Sequence, residues 1–303
     1  MQPSTEIDDG PLRKVSAGAM LELLKPITWF PPMWAFLCGV ISAGSSPWEQ
    51  PGLVLAGVVL TGPLVCGGSQ IVNDWYDREV DAINEPNRPI PSGRVPGAIA
   101  FYYAVLWTLF GLLWGAAFGL WVFIATLVGI ALAWGYSAPP LRFKMNGWVG
   151  NAAVGLSYEG LAWVTGAALI LGGTLPPAST LWVAALYSIG AHGIMTLNDF
   201  KAIEGDRALG IRSLPAQLGP DRAARVACGV MLIPQLLVWG LLVNWASYWQ
   251  AGVLSVLIIL QIAAMLRLLS DPKALAPWYN GTGVTAYVVG MMVTATALAG
   301  VNT

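Results

Sequence analysis

Residues 97–138 read GAIAFYYAVLWTLFGLLWGAAFGLWVFIATLVGIALAWGYSA, a stretch without one charged side chain. About 20 apolar residues carry a helix across a bilayer core, so this stretch is two spans, near 97–116 and 118–138. Only helices and closed barrels satisfy their backbone groups in lipid, and barrel strands read as alternating segments of roughly ten residues. Continuous apolar runs of this length are helices. The same pattern recurs near 27–44 and 52–72 upstream, and near 148–172, 178–198, 226–243, 247–269 and 282–301 downstream. The expected fold class is an all-α polytopic membrane protein of nine transmembrane helices. Its single transmembrane domain covers 25–303, behind a polar arm of residues 1–24.

Composition agrees. Of 303 residues, 56% are hydrophobic and 10% charged, against about 25% charged in a soluble domain. The net charge of −1 says nothing about partners, and nothing in the sequence supports nucleic-acid binding. The 15 Lys and Arg residues test the helix count. They fall in the N-terminal segment (Arg13, Lys14, Lys25) and in connections holding Arg78, Arg88 and Arg94, then Arg142 and Lys144, then Lys201, Arg207, Arg212, Arg222 and Arg225, and last Arg267 and Lys273. The connections near 45–50, 117, 173–177 and 244–246 hold none. Nine spans put every basic segment on one side, which the positive-inside tendency makes cytoplasmic. Eight or ten would scatter them. Function is therefore expected at that face, in the polar connections of about 73–96, 139–147 and 199–222. Residues 1–20 lack the apolar region of a cleavable signal peptide, so the first span is its own insertion signal. Cys38, Cys66 and Cys228 lie in apolar stretches without metal-ligand spacing and read as core residues.

A weak internal repeat locates the chemistry. Asn73-Asp74-Trp75 and Asn198-Asp199-Phe200 each close an apolar run and open an acidic segment. In the first, Asn73, Asp74, Asp77 and Asp81 fall on one helical face if the helix continues. Like charges at that spacing repel, and a hard cation relieves the repulsion. Mg²⁺ takes oxygen ligands, usually one or two carboxylates together with substrate phosphates. The second segment supplies Asp199, Glu204 and Asp206. Two carboxylate clusters at one membrane depth suit a metal-bridged diphosphate. The basic residues among them, Arg88, Arg142, Lys144, Lys201 and Arg207, with Tyr136 alongside, suit the diphosphate itself, because a leaving anion needs positive charge and donors. Asp77, Asp206 and Lys144 are the residues expected to carry catalysis.

These residues also carry a resemblance. The patterns N-D-x-x-D-x-x-x-D at 73–81, N-R-P at 87–89, Y-S-x-P-P-L at 136–141 and D-x-x-x-x-E-G-D at 199–206 resemble the UbiA superfamily of intramembrane prenyltransferases, over nearly the whole chain. Within it, Lys25-Pro26-Ile27-Thr28-Trp29, the stretch from Asn84 to Gly93, and Asn198-Asp199-Phe200-Lys201 resemble the chlorophyll and bacteriochlorophyll synthases. Gly190 to Thr196 and Tyr158-Glu159-Gly160 look more like the bacteriochlorophyll branch. One departure stands out: the superfamily's second motif often has an acid where this chain has Ala202. That shifts coordination onto Asp199, Glu204 and Asp206.

The resemblance implies esterification of the propionate of a (bacterio)chlorophyllide with a geranylgeranyl or phytyl group from its diphosphate, the last step of (bacterio)chlorophyll synthesis. It implies Mg²⁺ as cofactor, and a place in the cell inner membrane or a photosynthetic membrane. A carboxylate acceptor is ionised near neutral pH and needs no strong general base, but an allylic cation must be kept from water. Glu159, mid-span, and His192, seven residues before Asp199, are costly in lipid without partners and are expected in the tetrapyrrole pocket. Two other readings stay open on the residues alone: a UbiA-type enzyme acting on a quinone precursor or haem and, in a different class, a membrane transporter.

Overall fold

The structure is a computed structural model that describes residues 15–302. Arg13 and Lys14, and with them most of the expected arm, lie outside the described residues. Within them the chain is helical, with no strand of its own. A short helix α1 (Ala17–Leu23) is capped by the Ser16 hydroxyl, which accepts from the Ala19 N–H. It buries Ala19 and Leu23 in a cluster with Ile71, Val72 and Val95. Then follow α2 (Phe30–Ser42), α3 (Pro51–Asn84), α4 (Gly97–Ala116), α5 (Leu120–Ser137), α6 (Gly147–Ile170), α7 (Ala178–Ala208), α8 (Pro220–Asn244), α9 (Tyr248–Leu268) and α10 (Pro272–Val301).

Helices α3 to α10 are eight helices long and apolar enough to cross a membrane. The first apolar run, expected as a span over 27–44, gives only the 13-residue α2, about 20 Å at 1.5 Å per residue. Pro26, Ile27 and Thr28 are spent in a 3₁₀ turn ahead of it, and the prolines 31 and 32 sit in its first turn, where a missing N–H costs nothing. Two spans outrun their apolar cores. α3 carries its helix through the whole 73–84 acidic segment, and α7 passes through a 3₁₀ turn, Asp199–Ala202, into Ile203–Ala208. The 73–96 connection is thus helix for its first half.

α7 packs between α6 and α8, α9 lies against α10, and α2 lies along α6, while α3 contacts α4 and α5. Without a hydrophobic drive between helices in lipid, close approach of small residues supplies the contact energy. Gly39 of α2 and Gly166 of α6 do this reciprocally. A Cβ on Gly39 would lie 2.1 Å from the Trp163 carbonyl oxygen, and one on Gly166 would lie 2.0 Å from that of Phe36. Several buried polar groups are paired, as lipid demands. The Trp163 indole donates to Ser42 Oγ (3.1 Å), Tyr287 donates to the Tyr187 carbonyl (2.7 Å), and Gln235 donates to Gln261 (2.7 Å), which donates to Tyr279 (3.2 Å). Leu109, Ile233, Leu237, Ile259 and Leu266 point outward instead, as a lipid-facing surface requires. Cys38, Cys66 and Cys228 are buried free thiols.

Two π-helical turns interrupt the spans, Leu60–Cys66 in α3 and Leu156–Leu161 in α6. The first contains Pro63, whose missing N–H and ring break the regular ladder. The Pro63 carbonyl accepts from the Trp107 indole at 2.8 Å.

The Gly39–Gly166 contact sets a clear expectation for stability. Gly166→Leu should lower the thermal midpoint in detergent, by about 1–3 kcal/mol of overpacking. Gly240→Ala, where a Cβ meets open space, should leave it unchanged. Tryptophan-fluorescence melting of the two variants beside the wild type checks this.

Candidate active site

A cavity of about 560 Å³ opens between the start of α2 and the flanks of α3, α5, α6 and α7. It follows α3 from Leu60 to Asp77, about 25 Å of helix. Both π turns face it. Its walls are mostly apolar, and its charged lining residues are Asp77, Lys144, Glu159, Asp199, Lys201 and Asp206.

The acids gather at one end because α3 and α7 both run past their apolar runs there. On α3, Asn73 donates to Asp77 Oδ2 at 2.9 Å and to Ser137 Oγ at 3.4 Å. Lys144, on the connection entering α6, donates to the other Asp77 oxygen. Across the cavity, Asp199 Oδ2 accepts from Asn151 at 3.2 Å and Asp206 Oδ2 from Ser213 at 2.5 Å. Tyr136, at the end of α5, lies within the field of Asp199, Asp77 and Asp206 together. The two connections that carry these groups are tied to each other by backbone bonds, Gly147 N–H to the Arg212 carbonyl (2.8 Å) and Arg212 N–H to the Met145 carbonyl (3.1 Å).

The one-face reading of the first motif is corrected. On a 3.6-residue helix Asn73, Asp74, Asp77 and Asp81 span an arc of about 100°, with Asn73 and Asp77 toward one edge and Asp74 and Asp81 toward the other. The first two line the cavity. The other two, 2% and 7% exposed, face a cationic seam instead. Lys25 Nζ meets Asp74 at 2.6 Å, and Arg88 meets Asp81 at 2.8 Å, Asp74 at 3.4 Å and Glu85 at 2.6 Å. Partial burial pulls the Arg88 guanidinium down, but Glu85, Asp74 and Asp81 outweigh it and hold the group above its ordinary value. Arg88 is thus committed to protein carboxylates outside the cavity lining. A second pair, Arg94 with Glu22 (2.7 and 2.8 Å), fastens α1 to the same connection, and its hydrogen bonds hold the Glu22 carboxyl below the usual range.

Three further expectations shift. Glu204 is exposed and paired with Lys273 at 2.5 Å, because the 3₁₀ turn at 199–202 swings it outward. Arg142 and Arg207 also fall outside the lining. His192 sits behind the wall: Nε2 lies 3.2 Å from the Trp148 carbonyl and the ring tilts against the Trp148 indole at 5.7 Å. Glu159, by contrast, lines the cavity from the π turn of α6.

Several lining residues escaped the sequence reading. Gln70 and Cys66 both contact the Tyr158 hydroxyl (3.1 and 3.4 Å), and Asn151 and Ser213 hold the second acid pair. The signal for Gln70 was present, since it lies one helical turn before Asn73. Ser213 becomes legible only once the 206–213 turn is seen to fold back. Among the described residues no three His, Cys, Asp or Glu side chains converge as a preformed metal cage. One or two carboxylates on each wall, completed by phosphate oxygens, is the donor set that Mg²⁺ ordinarily uses, so the residues present fit that ion.

Residues 28–297 match the UbiA prenyltransferase family. The chain is 55% identical over 284 residues to the bacteriochlorophyll synthase 33 kDa chain of Rhodobacter capsulatus, covering 93% of each chain. It is 41% identical over 289 residues to the chloroplastic chlorophyll synthase of Oryza sativa, covering 91% of this chain and 76% of that one. Its fold is shared with a UbiA homolog from Archaeoglobus fulgidus bound to GPP and Mg²⁺, at a TM-score of 0.68 and 22% identity over 90% of this chain and 99% of that one. With the match spanning every helix that builds the cavity, the chain belongs to the UbiA prenyltransferase family.

Proposed function

We propose that the cavity is where a C20 isoprenoid, geranylgeranyl or phytyl, passes from its diphosphate to the propionate of a (bacterio)chlorophyllide. Chain-long identity carries this reading: 55% and 56% to two bacteriochlorophyll synthase 33 kDa chains, against 41% to the rice chloroplast enzyme. The margin favours bacteriochlorophyllide as acceptor. The charge pattern supports a cytoplasmic acid end and nine spans, with α2 as the short ninth.

In this reading Asp77 on one wall and Asp199 and Asp206 on the other hold Mg²⁺ together with the donor's phosphate oxygens. When bound, Mg²⁺ supplies positive charge to the departing diphosphate. Lys144 and Lys201, both on the lining, meet the same anion. Asp77 holds Lys144 in place until the donor arrives. The bond between C1 of the prenyl group and the diphosphate oxygen breaks, the electron pair leaving with diphosphate. A propionate oxygen forms the new bond to C1, and no proton needs to move. The apolar walls from Leu60 to Val65 and from Ala125 to Leu132 keep water from the allylic carbon. Glu159, the one acid of the lining away from the acid end, belongs to the acceptor's ring, where a carboxyl donates to a ring carbonyl.

Asp77→Asn and Asp206→Asn should each abolish turnover while the protein stays folded, because an amide keeps the shape and loses the charge a hard cation needs. Diphosphate release and pigment-ester formation, measured at saturating Mg²⁺, check this. More than about a tenth of wild-type activity in both would overturn the assignment.

Glu159 and His192 should part company. Glu159→Leu should raise the apparent constant for pigment and spare that for the prenyl diphosphate, whereas His192→Phe should lower thermal stability and spare both. Steady-state kinetics with each substrate varied in turn, beside melting curves, separates the two roles.

A further inference from the structure

The aspartates of α3 are answered by cations: Asp77 by Lys144, Asp74 by Lys25 and Arg88, Asp81 by Arg88. The second pair is answered differently. Among the described residues neither Asp199 nor Asp206 makes an ion pair; each accepts one hydrogen bond from a neutral side chain, Asn151 and Ser213. Both donors are 4% exposed and both line the cavity.

We infer that Asn151 and Ser213 are positioning residues that fix the second acid pair for a diphosphate-bound cation without neutralising it. The inference rests on the metal–diphosphate reading of the cavity. Three observations carry it. First, this wall has few acids. Ala202 stands where a further carboxylate would serve, and Glu204 is turned away to Lys273, so the two remaining acids must each be well placed.

Second, the orientation of the Asn151 amide is determined by its surroundings. Its nitrogen donates both to Asp199 Oδ2 and to Thr196 Oγ1 (3.3 Å), while the Thr196 hydroxyl spends its own hydrogen on the His192 carbonyl (2.9 Å). Thr196 is therefore an acceptor toward Asn151, and the amide must present its NH₂. Third, Ser213 follows Arg212, whose backbone is bound on both sides to the connection carrying Lys144 and Met145. Lys144, Ser213 and Asp206 are thereby held as one unit. A neutral donor orients a carboxylate and leaves its charge available, whereas a lysine in the same place would cancel the charge the cation needs. Outer partners of this kind are worth about 10–100-fold in metal affinity in other proteins.

The test is a direct metal titration. Free Mn²⁺ is followed by electron paramagnetic resonance as it is added to purified full-length protein with inorganic diphosphate present. Wild type, Asn151→Leu, Ser213→Ala and Ser213→Thr are compared, with Asp199→Asn as the control that should lose the site. We expect Asn151→Leu and Ser213→Ala to weaken Mn²⁺ binding about tenfold and to raise the Mg²⁺ concentration for half-maximal turnover by a similar factor. Ser213→Thr, which keeps the hydroxyl, should restore both. Variants that bind Mn²⁺ as tightly as wild type, whatever their melting temperatures, overturn the inference and leave the parent reading intact. Absence of binding in wild type itself overturns the parent reading and this one with it. Should Asn151→Leu fail to fold, Ser213→Ala removes a single oxygen and still decides the matter.

Discussion

An ionised carboxylate in hydrocarbon costs several kcal/mol unless a counter-charge or a set of donors meets it, and the placement of acids in this protein follows from that constraint. The spans carry almost none. The acids that the chain does keep on helices are concentrated where α3 and α7 run beyond their apolar runs, and there Asp74, Asp77, Asp81, Asp199 and Asp206 each have a partner within hydrogen-bonding distance. Lys25 and Arg88 meet the outer acids of α3, Lys144 meets Asp77 on its cavity side, and Asn151 and Ser213 meet Asp199 and Asp206 across the cavity. The position of the cavity's acid end is thus a solvation requirement before it is a catalytic one.

The helix bundle serves this arrangement by staying rigid around it. Reciprocal backbone contact at Gly39 and Gly166 allows α2 to lie against α6 with no side chain between them. The same helix carries Asn151 and the π turn with Tyr158 and Glu159, which line the cavity. The π turns in α3 and α6 widen the helices locally, as such turns often do at functional sites, and both contribute side chains to the cavity lining. The backbone bridge at Asn146 and Arg212 then holds two connections in register that would otherwise move independently.

Much of this was legible in the residues. Hydropathy alone located every long span, because lipid imposes helix on any apolar run of sufficient length. The Asn-Asp repeats marked the two helices that meet across the cavity, and Asp77, Lys144, Asp199 and Asp206 were placed there from spacing and charge. What the sequence hid was angular. Asn73, Asp74, Asp77 and Asp81 spread over about 100° of a helix, enough for Asp77 to face a cavity while Asp74 and Asp81 face Lys25 and Arg88. The direction of Glu204 and Arg207 depended on a single 3₁₀ turn at 199–202, and no local signal announces one. His192 was expected in the tetrapyrrole pocket because a polar ring is costly in lipid without a partner, yet its Nε2 lies 3.2 Å from the Trp148 carbonyl, a contact between α6 and α7 that only packing reveals.

The pairing of Lys144 with Asp77 has a consequence for the order in which charge enters the chamber. At the acid end three carboxyl groups, Asp77, Asp199 and Asp206, face two lysines, Lys144 and Lys201, and with all five ionised the acids exceed the cations by one. A bare diphosphate, itself multiply anionic, is repelled by that excess, and Lys144 has no incentive to leave its internal counter-ion. A diphosphate that arrives already complexed to cations carries the opposite imbalance. On the proposed function, donor entry is an exchange of counter-ions in a confined, poorly screened space, with the diphosphate bringing its own cations.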